Sequence, residues 1–136
     1  MPSLFTLEEL VLDYPIIYGV ASPKRPLKLA FELSIHPDIE VDLYKETTTY
    51  SKESLHETYL ISHLDDDAKC FLVKNKGTKE LFYPKYKQVD YLVCSIDESE
   101  IKSEIIQIIS KLRGISICFA LEEPNQKQIL NFTSLQ

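Results

Sequence analysis

YLVCSIDESEIKSEIIQIISKLRGISICFAL, residues 91–121, is the stretch whose reading decides the fold. Tyr91-Leu92-Val93-Cys94-Ser95-Ile96 is apolar and rich in β-formers, as a central strand must be. Asp97 follows, with Glu100 three residues on, a box-like pair suited to capping the free N–H groups of a helix start. Ile101, Ile105, Ile108, Ile109 and Leu112 then form one apolar stripe at helical spacing. Glu98 and Glu100 stand at its beginning and Lys111 and Arg113 at its end, the order that the helix dipole favours, and Gly114 suits the C′ position. Ile115 to Leu121 returns to a strand-like run. Strand, helix over 98–113 and strand are predicted in succession.

Upstream the pattern changes to short elements. Asp38 to Tyr44 alternates polar and apolar residues strictly, which places Ile39, Val41 and Leu43 on one face of a half-buried strand. Lys45 to Leu55 holds threonines and serines and no aliphatic residue before Leu55, and it reads as a long exposed loop. A strand over His56–Leu64, a turn at Asp65-Asp66-Asp67 and a return strand at Cys70–Val73 follow. Asn75-Lys76-Gly77 is a second turn signal and Leu81-Phe82-Tyr83 another short strand, so an antiparallel meander is expected.

Nearer the start, Leu27, Ala30, Phe31, Ser34 and Ile35 recur at helical spacing, with Ser22 able to cap, Pro23 suited to the first turn and Pro37 to stop the helix. A helix over 24–35 is predicted. Leu10-Leu12 and Ile16–Val20 read as two strand segments separated by Pro15. At the other end, Glu123-Pro124-Asn125 reads as a turn and Ile129–Phe132 as a short strand or hydrophobic anchor. The expected fold is a single α+β domain over 1–136. It has an antiparallel or mixed sheet of about six strands, with two helices packed on one face. The open sheet face and the edges need cover, which a homodimer would supply.

Composition sets the class. A chain of 136 residues and 15.7 kDa, 44% hydrophobic and 26% charged, is one domain's worth of globular protein. It has no apolar run of the ~18–20 residues that cross a bilayer. Met1-Pro2-Ser3-Leu4 lacks the basic and apolar regions of a secretory signal. The three cysteines argue for a reducing compartment rather than a disulfide framework. A soluble cytoplasmic protein is expected, with no membrane partner.

The net charge of −6 is unevenly spread. Residues 36–67 sum to −7 and residues 68–87 to +5, the latter from Lys69, Lys74, Lys76, Lys79, Lys85 and Lys87 against Glu80. Neighbouring strands would bring the two blocks together and neutralise them, which disfavours nucleic acid as a partner.

No constellation for chemistry is readable. Cys70, Cys94 and Cys118 each sit within an apolar run, as packed thiols do. His56 and His63 fall on opposite faces of a regular strand, and a site at Asp65-Asp66-Asp67 would lack converging imidazoles. The glycines, Gly19, Gly77 and Gly114, cannot build a phosphate loop, and no hydrolase, zincin or EF-hand pattern is present. No cofactor or metal is expected. The most unusual text is the block Tyr83, Pro84, Lys85, Tyr86, Lys87, Gln88, Val89, Asp90, Tyr91. It can be an interaction surface for protein, a set of stacking tyrosines and phosphate-holding lysines, or a proline-led loop with half-buried tyrosines and Asp90 bonded to a backbone N–H.

Three stretches, LDYPIIYGVAS followed by a helix of LKLAFELS type, LFYPKYKQVDYLV and ISICFALEEPNQKQILNF, together resemble the IPExxVDY family of small bacterial proteins, found chiefly in the Bacteroidota. Pro84, Val89, Asp90 and Tyr91 match the naming motif directly. Tyr83 stands for its Ile and Lys85 for its Glu, and three residues rather than two precede Val89. The resemblance implies a bacterial cytoplasmic protein and supplies no activity. The expected function is a non-enzymatic one, through a protein partner or as a homodimer. The alternatives are a nucleic-acid-associated factor using the basic stretch 69–87 and a small enzyme with a site assembled from scattered residues.

Overall fold

The computed structural model describes residues 17–44, 46–49, 52–64, 68–95, 103–122 and 131–132. In chain order these form β1 (Ile17–Ala21), α1 (Pro26–Ser34), β2 (Ile39–Leu43), β3 (Thr47–Thr48), β4 (Leu55–His56), β5 (Thr58–His63), β6 (Ala68–Lys74), β7 (Tyr91–Ser95), α2 (Ser103–Lys111) and β8 (Ile117–Ala120). Six strands make one sheet in the order β2-β5-β6-β7-β1-β8, and β3 pairs with β4 in a small second sheet. Every pairing is antiparallel. The protein is an α+β fold, as predicted. The strand–helix–strand unit of residues 91–121 is present, but β1 lies between its two strands. The predicted Leu10–Leu12 strand, Asp65–Asp67 turn, Asp97–Ile101 helix start and Glu123–Leu130 tail lie outside the described residues.

Strand alternation sorts the apolar side chains onto two faces. One face carries Val20, Ile61, Cys70, Leu72, Tyr91 and Val93. It packs against Leu29, Ala30 and Leu33 of α1 and Ile105 and Ile109 of α2, so both helices cover it. Ile108 and Leu112, expected mostly buried, are half-buried at the margin of that core. Gly114 follows α2 at φ +89°, where glycine carries no steric cost.

The other face carries Ile17, Phe71, Val73, Leu92 and Cys94. The segment between β6 and β7 folds over it and inserts Phe82, Tyr83 and Val89, and Phe132 adds a further ring. Phe132 meets Phe82 edge-on at 5.0 Å, the anchor expected of the tail. This face is therefore covered within the chain and needs no second copy to hide it. Leu81–Tyr83 is not a strand: a single bridge joins Lys76 to Leu81, because Phe82 and Tyr83 turn into the core instead of pairing along an edge.

The polar stretch expected as an exposed loop is another correction. Within 45–55, Thr47, Thr49 and Ser54 are buried and Thr47–Thr48 forms β3, while the neighbouring His56 and Thr58, expected in a strand, are buried as well. Their hydroxyls find partners: Thr47 bonds Thr58 at 2.6 Å, and Ser54 Oγ accepts from Lys79 N at 2.9 Å and Glu80 N at 3.1 Å. Satisfied hydroxyls remove most of the desolvation cost that makes polar text read as surface.

Candidate interaction surface

α1 begins at Pro26, whose fixed φ suits the first helical position and whose missing N–H costs nothing there. Arg25 holds the N-cap position, and Ser22 Oγ instead accepts from Lys24 N at 3.2 Å. The helix carries two apolar stripes about half a turn apart. Leu29, Ala30 and Leu33 face the sheet, where small Ala30 allows close approach. Leu27, Phe31 and Ile35, predicted to be the buried stripe together with Ala30, point outward at 71%, 64% and 65% exposure. Packing of Leu29, Ala30 and Leu33 on the sheet sets this rotation. Tyr91 donates its hydroxyl proton to the carbonyl of Lys24, tying the helix start to the sheet, and the Lys24 ammonium pairs with Glu32 along the helix.

Residues one helical turn apart make the outward side chains a continuous apolar ridge. At its C-terminal end opens a groove of about 600 Å³ between α1 and α2, where Ile35, Ile108 and Leu112 meet His36, Asp38 and His63. His36 Nδ1 accepts from Asp38 N at 3.2 Å, which shapes the turn into β2. Scattered exposed apolar residues are ordinary, whereas a ridge beside a groove marks a contact surface.

The block 83–91 is placed quite differently from residue to residue. Tyr83 and Tyr91 are buried, Tyr86 is half-buried, and Pro84, Lys85, Lys87 and Asp90 are exposed. Tyr83 donates its hydroxyl to Glu122 O at 2.8 Å, and burial pushes that phenol up to about 12. Tyr86 accepts from Glu122 N at 3.0 Å, and Lys85 forms an ion pair with Glu122. Asp90 accepts from Ser22 N at 2.7 Å, the backbone bond anticipated for it. The organiser of the block is Asn75, legible in the sequence only as a turn residue. Its amide donates to Tyr86 O at 3.0 Å and Val89 O at 2.9 Å, and its carbonyl accepts from Tyr83 N at 2.8 Å. Of the other lysines, Lys74 and Lys76 line a cavity of about 290 Å³ together with Glu46 and Glu57, so the basic and acidic blocks meet there.

His56 is fully enclosed. Its Nδ1 lies 2.8 Å from Lys74 O, and a carbonyl can only accept, so the proton sits on Nδ1. Nε2 is enclosed without a hydrogen-bond partner. A Cβ at Gly77 would lie 2.3 Å from both this nitrogen and Ser54 Oγ, so only glycine fits the turn against them. Burial lowers the imidazole pKa. Ser54 and His56 are both fully enclosed, and Ser54 Oγ is engaged by two backbone N–H groups, which makes the pair a structural joint between the small sheet and the 75–80 turn.

His56 contacts Phe82 in the second-face core, while His63 lines the helix groove, so the two imidazoles lie on opposite sides of the sheet as expected. No cluster of three metal-ligating side chains occurs among the described residues. Cys70 and Cys94 are buried and Cys118 is half-buried, and burial raises all three thiol pKa values, to about 12 for Cys70. No helix among the described residues is long and apolar enough to cross a membrane. No family model, curated protein or solved structure matches the chain.

Proposed function

We propose that this chain is a small cytoplasmic bacterial protein, of the IPExxVDY kind, that works through protein contact rather than catalysis, with the outer face of α1 as its docking surface. The observation that carries this reading is the exposure of Leu27, Phe31 and Ile35 on a helix whose opposite side is packed on the sheet. A helix whose apolar ridge faces water loses the burial free energy of three large side chains, roughly 1.5–3 kcal/mol each, until something covers them. The exposed portion of the 83–91 block, Pro84, Lys85 and Lys87, is the second surface to compare.

Site-specific photocrosslinking in the native cell tests the reading. A photoreactive residue in place of Phe31 is expected to give a discrete protein adduct, and one in place of Lys87 none. Adducts at 87 alone would move the docking surface to the 83–91 block. Absence of adducts at both positions would overturn the proposal.

A further inference from the structure

Resting on that reading, we infer that the occupant of the ridge is a second copy of this chain, with α1 packed antiparallel against its symmetry mate about Phe31. Three features of α1 carry the inference. The first is the self-complementarity of the ridge. Leu27 and Ile35 stand four residues before and after Phe31, so a two-fold axis through Phe31 sets Phe31 on Phe31 and Leu27 on Ile35 of the second copy. A patch shared by both partners is what a closed two-fold dimer requires.

The second feature is charge. The N-terminal part of the ridge carries exposed Arg25 and Lys28, while half-buried Glu32 sits beside Phe31 and half-buried Asp38 follows in the turn after the helix. A parallel pairing would set like against like. The antiparallel pairing brings Lys28 toward Glu32 of the mate and Arg25 toward its Asp38, and it also opposes the two helix dipoles. Within the chain Glu32 already pairs with Lys24, so Lys28 of the mate adds a second cation to that carboxylate.

The third feature is the groove. In this arrangement Leu27 of the second copy lies against Ile35, at the mouth of the 600 Å³ groove whose apolar wall is Ile108 and Leu112. The dimer thus covers the α2 margin that the chain's own core leaves half-buried. A single helix pair is small beside the roughly 800 Å² per partner of a standard interface, so the association is a concentration-dependent one.

Sedimentation equilibrium of the full chain across micromolar to millimolar concentration is the test. The expected result is an equilibrium between one and two times the chain mass of 15.7 kDa. Phe31→Asp is expected to abolish the dimer without changing the thermal midpoint of the monomer. Two charge-reversed chains provide the decisive arm: Arg25→Glu with Lys28→Glu, and Glu32→Lys with Asp38→Lys. Each alone is expected to stay monomeric, and an equimolar mixture is expected to recover the dimer. A wild-type chain that stays monomeric throughout overturns the inference. A dimer unaffected by Phe31→Asp, or charge variants that fail to complement, does the same. Crosslinks from position 31 to a different protein, with a monomeric chain, would sink the inference and leave the docking surface standing. A monomeric chain without such crosslinks would sink both.

Discussion

Asn75 shows how much structure one side chain can hold. Three hydrogen bonds from its amide group fix the path of residues 83–89 over the second sheet face, and the side chain is fully buried. Asn75→Ala leaves the Val89 carbonyl and the Tyr83 N–H without that partner in the interior and takes one of two donors from the Tyr86 carbonyl, which keeps Val89 N. We expect a loss of about 2–4 kcal/mol in urea denaturation, with near-ultraviolet signals of the surrounding tyrosines changing alongside. His56 is a residue of a different kind, whose burial favours the neutral form. Its pKa lies below the ordinary 6.5, chiefly through burial, with the nearby Lys74 charge acting in the same direction and Glu80 opposing. The unfolded chain therefore takes up a proton at higher pH than the folded one. The stability tied to neutral His56 is complete above about pH 6.5 and declines as pH falls from there toward the lower folded value. His56→Asn, which keeps a donor near Lys74 O, is expected to flatten the dependence between about pH 7 and 5 in denaturant titrations. An unchanged slope would assign the dependence to other groups.

The elements differ in how openly they declare themselves. α2 has one apolar stripe, so its inward side was legible from spacing. Ile105 and Ile109 are fully enclosed, whereas Ile108 is half-buried at the groove. Ile105→Ala is expected to cost about 2–4 kcal/mol and Ile108→Ala clearly less, both read from denaturation midpoints. Similar losses at the two positions would mean that the groove side is as tightly packed as the core. α1 was misread because it has two stripes of the same period, Leu27-Phe31-Ile35 and Leu29-Ala30-Leu33. Periodicity reports that a helix has a side, and here it reported two. The choice rests on partners distant in sequence, Tyr91 on the Lys24 carbonyl and the fit of Ala30 against the sheet. The polar stretch before β4 failed for a related reason. Hydroxyl-rich text looks solvated until the backbone groups of the 75–80 turn, which satisfy it, are known. The exposed ridge is thus present in the sequence as a row of residues, but its spacing alone places it on the wrong side of the helix.

At the scale of the whole molecule, two short layers flank one sheet, with helices on one side and a single long connection on the other. The strand content and the antiparallel sense of the meander are legible from alternation and turn spacing, because neighbours such as β5 and β6 are joined locally, whereas the sheet as a whole reads as antiparallel or mixed. The order of the strands could not, since pairings between distant segments leave no mark on local pattern. The position of β1 is the clearest instance, and it bears on how the protein is made. The strands on either side of β1, β7 and β8, both come from residue 91 onward. A ribosome adding roughly 5–20 residues per second leaves Ile17 and Val20 without their sheet for several seconds. β5 and β6 can meanwhile close as a hairpin. The first strand to emerge is thus among the last to be paired, and a chain truncated before residue 91 keeps β1 but loses both strands that flank it among the described residues.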